Sequence, residues 1–159
     1  MKYLIFDRKY FFKSLLIGFC LFLFNIVSSY LIHELIGESL GKQNTNAITN
    51  DFNSFIFVVL IVPVFETLIF QWLIIYQTYE SYRRENKRQL AILISSILFG
   101  LSHSYSVYYI LVTTTAGVLL ATSFCYFREK TNWLSGIIYV TIIHSLSNLL
   151  VFITKMLNI

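Results

Sequence analysis

The sequence predicts an all-α fold: a polytopic membrane helix bundle of about five transmembrane helices, with the N-terminus on the cytoplasmic side. Three observations carry this expectation: the composition, the lengths of the apolar stretches and the placement of the basic residues. Of 159 residues, 57% are hydrophobic and 18% aromatic, only 13% are charged, and the mean hydropathy is +0.69. Soluble domains average about 45–50% apolar and about 25% charged residues. A chain this poor in charge has too little polar side chain to cover a water-facing surface. That argues against a soluble enzyme, a disordered chain and a disulfide-rich secreted domain. One Pro and six Gly argue against a turn-rich all-β chain. The length fits a single transmembrane domain over residues 1–159.

Five apolar stretches follow one another, at about Phe11–Ile36, Phe52–Tyr79, Gln89–His103, Ser106–Phe127 and Asn132–Met156. Crossing a ~30 Å hydrocarbon core takes ~20 helical residues at 1.5 Å each. All but the third are long enough. The third is short and ends in polar residues suited to the inside of a bundle. The first is too long for a signal peptide and lacks an A-x-A-like cleavage site, so it reads as a retained span. Gly37–Asp51, with Gly37, Gly41, Asn44, Asn46 and Asn50, reads as a loop.

The basic residues give the orientation. Lys2, Arg8, Lys9 and Lys13 flank the start of span one. Arg83, Arg84, Lys87 and Arg88 lie between spans two and three, and Arg128 and Lys130 between spans four and five. Only Lys42 and Lys155 of the twelve Lys and Arg fall on the other side of a five-span chain. The positive-inside rule makes the crowded side cytoplasmic, and Tyr76, Tyr79, Tyr82, Tyr126 and Trp133 form an aromatic belt there. The expected location is a multi-pass one in a membrane, the cytoplasmic (plasma) membrane of a prokaryote. The basic loop reads as a solvated topology signal with some attraction for anionic lipid, and no nucleic-acid platform accompanies it. Cys20 and Cys125 lie in separate apolar stretches and read as packing residues.

Against this background three ionisable residues lie deep in spans: Glu66, His103 and His144. Each costs about 2.5–3.5 kcal/mol to insert and marks a candidate functional site. Counted from the inner interface at 1.5 Å per residue, their depths are ~18, ~21 and ~17 Å, on three different helices. A single buried site explains that agreement. Asn148 is one turn after His144 and shares its face, and Phe99 is one turn before His103, where it packs beside the imidazole. Pro63 loosens the helix just before Glu66. The bland alternative is that Glu, His and Asn only glue helices together, at roughly 0.6–2 kcal/mol per contact. His33, Glu34 and Glu38 sit near the outer interface and read as solvated.

A carboxylate with two imidazoles and an amide suits hydrolysis by activated water. Glu66 would serve as general base with His103 orienting the water or sharing its proton, and His144 and Asn148 would stabilise the oxyanion. The set needs no cofactor. The alternative is a His₂Glu zinc site built from Glu66, His103 and His144. A serine nucleophile among Ser102, Ser104, Ser145 and Ser147 is a third option, though no serine is marked as activated.

These residues form three ordered motifs: Pro63-Val-Phe-Glu66-Thr67-Leu-Ile-Phe70-Gln71, Phe99-Gly-Leu-Ser-His103 and His144-Ser-Leu-Ser-Asn148. Over about residues 52–150 the chain resembles the CAAX protease and bacteriocin-processing family, also called the CPBP or Abi family, which includes the type II CAAX prenyl endopeptidases. The resemblance implies a multi-span helical intramembrane endopeptidase acting on a peptide or membrane-protein substrate. It places catalysis on Glu66, His103, His144 and Asn148, with Thr67, Phe70, Gln71 and Phe99 in support. The family is described as a metalloprotease by some, while its mechanism is usually argued to depend on the glutamate without metal. The family's usual first motif is E-E-x-x-x-R. Here Thr67 and Gln71 replace the second acid and the base, and at i, i+4 they are expected to hydrogen-bond each other in place of that pair. The competing readings are a non-enzymatic membrane immunity or scaffold protein and a small proton-relaying transporter. No inverted repeat supports the transporter. Substrate identity and oligomeric state are not legible in the sequence.

Overall fold

A computed structural model describes residues 7–37, 52–81 and 87–157, and every regular element among them is helical. Lys2, Glu38, Lys42, Tyr82, Arg83, Arg84 and almost all of the expected 37–51 loop lie outside the described residues. Helix α1 spans Arg8–Ile36. Helix α2 is continuous from Phe52 to Ser81, but it alternates between α-helical and π-helical turns. Helices α3, α4 and α5 span Lys87–Leu101, Val107–Lys130 and Trp133–Leu157. The five helices match the five apolar stretches in order. Four of them are long and apolar enough to cross a membrane: α1, α2 over Phe52–Thr78, α4 and α5. Helix α3 rises only ~22 Å at 1.5 Å per residue, and so falls short of a ~30 Å core.

Local signals explain the helix ends. The Asp7 carboxylate accepts from the Lys9 N–H at 2.8 Å and caps α1. Gly37 closes α1 in the left-handed region, with φ 73° and its N–H on the His33 carbonyl. The Ser106 hydroxyl accepts from the Tyr109 N–H and starts α4, and Asn132 does the same for Ser135 at the start of α5. Where α3 stops short, its turn is not left bare. The N–H groups of Ser102, His103 and Tyr105 bond to the carbonyls of Leu98, Gly100 and His103. Backbone groups at membrane depth need such internal partners.

Lipid supplies no hydrophobic force between spans, so close approach at small residues holds them together. A Cβ on Gly18 of α1 would lie 2.9 Å from the Ile143 carbonyl of α5. On Gly117 of α4 it would lie 3.1 Å from Ser96 Cα of α3, and on Gly100 it would run into the Thr114 hydroxyl and lie 3.0 Å from the Ile110 carbonyl. Gly100→Ala is therefore expected to push α3 off α4 and cost about 1–3 kcal/mol. Thermal unfolding of the detergent-solubilised protein reads this as a lower midpoint; an unchanged midpoint would show that the contact yields freely.

Polar contacts pin the ends. The buried Tyr139 hydroxyl of α5 accepts from the Asp7 N–H and donates to the Asp7 carbonyl. Lys13 donates to the Tyr126 hydroxyl at 2.7 Å, Arg88 pairs with Glu129 at 3.4 Å, and Arg128 lies 4.5 Å over the Trp133 ring. The described basic residues of α1, α3 and α4 thus gather at one end of the bundle. Lys155 lies in the last turn of α5, at the other end. Midway along α1, Asn25 donates to Ser147 of α5 at 3.3 Å. His33 and Glu34 are exposed, as expected; Cys20 is exposed and Cys125 buried.

Candidate active site

Helix α2 carries Glu66 on a single α-helical stretch, Val62–Glu66, between two π-helical ones, Phe57–Ile61 and Thr67–Leu73. π turns inside α-helices recur at functional sites because the wide turn re-aims the neighbouring side chains. The sequence signal for the first is Pro63. In the Phe57–Ile61 stretch the Val62 N–H reaches back five residues to the Phe57 carbonyl. The next bond in that register would run from residue 63 to the Val58 carbonyl, and proline has no N–H to give. The Asn148 side chain donates to that carbonyl instead, at 3.0 Å. A backbone carbonyl left unsatisfied at membrane depth costs several kcal/mol, so this bond ties α5 to α2 just before Glu66.

Glu66 meets both imidazoles. Its Oε1 is 3.4 Å from His103 Nε2 and its Oε2 is 3.4 Å from His144 Nε2. The agreement of depths read from the sequence thus corresponds to one cluster. Glu66 and His103 keep 18% and 19% of their side-chain surface exposed, against 8% for His144. The cluster therefore opens along its Glu66–His103 side while His144 closes the back.

The two imidazoles are held differently, which gives them different chemistry. His103 Nδ1 lies 2.8 Å from the Phe99 carbonyl, a group that only accepts. Nδ1 therefore carries the proton, and the bare Nε2 faces Glu66. His144 Nδ1 is buried without a hydrogen-bond partner. Burial of an unpartnered N–H is the costlier state, so the proton belongs on Nε2, where Glu66 accepts it. One imidazole presents an acceptor to the carboxylate and the other a donor. The same assignment bears on the serine option. The Ser102 hydroxyl donates to the Phe99 carbonyl at 2.7 Å and sits 3.1 Å from His103 Nδ1. A protonated Nδ1 cannot take the Ser102 proton.

Phe99 organises the pair. Its ring is buried, 4.7 Å from the His103 ring and 5.8 Å from the His144 ring, and Phe70 packs on it edge-on at 5.5 Å. Phe70 and Phe99 thus pack as a pair against the two imidazoles. His103 lies in the turn after α3 and not within a helix, yet its packing on Phe99 survives. One expectation needs correction. Thr67 and Gln71 are fully buried, but the Thr67 hydroxyl and both Gln71 amide atoms lack hydrogen-bond partners. The expected bond between them is not formed. The Asn148 side chain holds the Val58 carbonyl with one N–H.

Sequence reasoning passed over Tyr109, whose ring lies 6.0 Å from His103, and Ser95, whose hydroxyl donates to the Phe70 carbonyl at 2.9 Å. The order Ser95, Phe99, His103 at four-residue steps was a legible signal for the second, since such residues share one stripe of a helix. Among the described residues no group of three or more His, Cys, Asp or Glu is arranged to hold a metal ion.

Helices able to span a membrane around a carboxylate and two imidazoles define an integral membrane protein with a cluster of ionisable side chains inside the bundle. The model of the family described as type II CAAX prenyl endopeptidase Rce1-like matches residues 49–150, and the chain belongs to that family. The matched residues contain α2, α3, α4 and most of α5, and therefore the whole cluster. No curated protein and no solved structure matches the chain. Membership makes it a CAAX-protease-type peptidase in general terms.

Proposed function

We propose that the protein is an intramembrane endopeptidase that hydrolyses a peptide bond with water activated by Glu66 and His103. The observation that carries this reading is the placing of Glu66 3.4 Å from each of two imidazoles of opposite polarity. A water on the open side takes one hydrogen bond from its proton to Glu66 and a second to the bare His103 Nε2. As the water attacks the carbonyl carbon, its proton passes to Glu66, and from there to the departing amine. The C–N bond breaks and the products are a carboxylate and an amine. His144 Nε2–H donates to the developing oxyanion, a role that the tautomer on the buried side allows. The Asn148 amide nitrogen has two N–H groups. One is held by Val58, and the other serves the oxyanion with its direction fixed by the first.

The substrate class is a peptide or a membrane-protein segment, and the basic end of the bundle faces the cytoplasm. The test is a peptide library offered to purified protein in detergent, with products read by mass spectrometry. Cleavage that persists in chelator supports activated water without metal. Cleavage abolished by chelator and restored by zinc would transfer Glu66, His103 and His144 to metal ligation. A folded protein that cleaves nothing would favour a membrane immunity or scaffold protein.

A further inference from the structure

The second π stretch of α2 poses the same accounting problem as the first. Its last wide turn bonds the Ile74 N–H to the Ile69 carbonyl, five residues back. From Ile74 the helix is α-helical again, and in that register the following N–H would meet the carbonyl four residues back, that of Gln71. The Phe70 carbonyl between them is passed over. Inside a membrane that acceptor must find another donor. It finds the Ser95 hydroxyl, at 2.9 Å, from a side chain with no exposed surface.

The two passed-over carbonyls are thus claimed by different helices. Asn148 of α5, one turn from His144, takes Val58 before Glu66. Ser95 of α3, two turns before His103, takes Phe70 after it. Each bond joins the helix of the carboxylate to a helix that carries one of the imidazoles or leads directly into its turn. The Ser95 bond also sits beside the Phe70–Phe99 ring contact, and the Phe99 carbonyl holds His103. A short chain of contacts therefore runs from the π turn to the imidazole.

We propose that Ser95 is a positioning residue: by holding the Phe70 carbonyl that the π turn leaves unpaired, it fixes Glu66 against His103. Ser95 does not meet substrate. Its consequence for turnover rests on the hydrolytic reading above, whereas its consequence for His103 does not.

The experiment uses Ser95→Ala in the full-length protein, with two readouts. In ¹⁵N-histidine-labelled protein in lipid nanodiscs, the three histidines of the chain give separate imidazole signals, and exposed His33 is an internal reference. The His103 signals are expected to move and those of His33 to stay. In the cleavage assay kcat is expected to fall about 10- to 100-fold, the cost of a small misplacement of reacting groups, with KM within about twofold. Ser95→Thr, which returns the hydroxyl, is expected to restore both. Wild-type His103 signals in Ser95→Ala overturn the proposal, even if the variant melts at a lower temperature, because a hydrogen bond that serves only stability would do that much. If the wild type cleaves nothing, the hydrolytic reading fails and the His103 signals alone decide on Ser95. If Ser95→Ala does not fold, Ser95→Cys keeps the size with a weaker donor: a displaced His103 supports the proposal and an unmoved one overturns it.

Discussion

Replacing Glu66 by Gln is expected to slow peptide cleavage by about 10²–10⁴-fold, the usual contribution of a general base. The substitution keeps the shape of the side chain and removes its basicity. The fold should survive it. Glu66 makes its contacts with two imidazoles, and an amide offers one acceptor and one donor where the site has one donor, His144 Nε2–H, and one acceptor, His103 Nε2. The thermal midpoint of Glu66→Gln should therefore stay close to that of the wild type while product vanishes from the mass spectrum. Cleavage near the wild-type rate in a folded Glu66→Gln protein would remove the carboxylate from the mechanism. Retained binding of a substrate peptide without its cleavage would show that recognition and chemistry are separable.

Thr67→Glu is expected to be among the most destabilising single changes in the chain. Thr67 has no exposed surface and its hydroxyl has no partner. An ionised carboxylate there would be buried beside Glu66 with no base to meet it. An uncompensated buried charge of this kind costs about 3–5 kcal/mol. Gln71→Arg alone should be harmful for the same reason, since Gln71 is as deeply buried. Together the two changes restore the E-E-x-x-x-R motif, with acid before base, and should recover much of the loss. Unfolding measurements on the two single variants and the double variant give the coupling directly. Wild-type stability in Thr67→Glu, or a double variant as unstable as the two losses added, would show that Thr67 and Gln71 do not stand in for a charge pair.

Much of the site was legible because its depth is a one-dimensional property. Residue counts along three apolar stretches placed Glu66, His103 and His144 at one level, and a helix rises uniformly enough for counting to work. Phe99 was legible for the same reason, one turn from His103. The direction of a side chain around its helix was not legible wherever the turn was π. The expected Thr67–Gln71 bond is not formed, and the bond from Asn148 to the Val58 carbonyl was not foreseen, because both depend on how the side chains of α2 meet their neighbours in space.

The sequence by itself determined that the chain is a bundle of membrane helices, where each helix runs, and which three side chains share a level. These follow from apolar length and the cost of charge in hydrocarbon, which are properties of each segment alone. The tertiary structure decided the tautomers of the two imidazoles and the π turns on either side of Glu66. A π turn leaves a carbonyl over, and at membrane depth it persists only if a donor from another helix arrives to take it. Asn148 and Ser95 are those donors, and they lie 90 and 25 residues along the chain from the carbonyls they meet. Local pattern carries no information about a partner so remote, so the packing of α3 and α5 on α2 had to settle it.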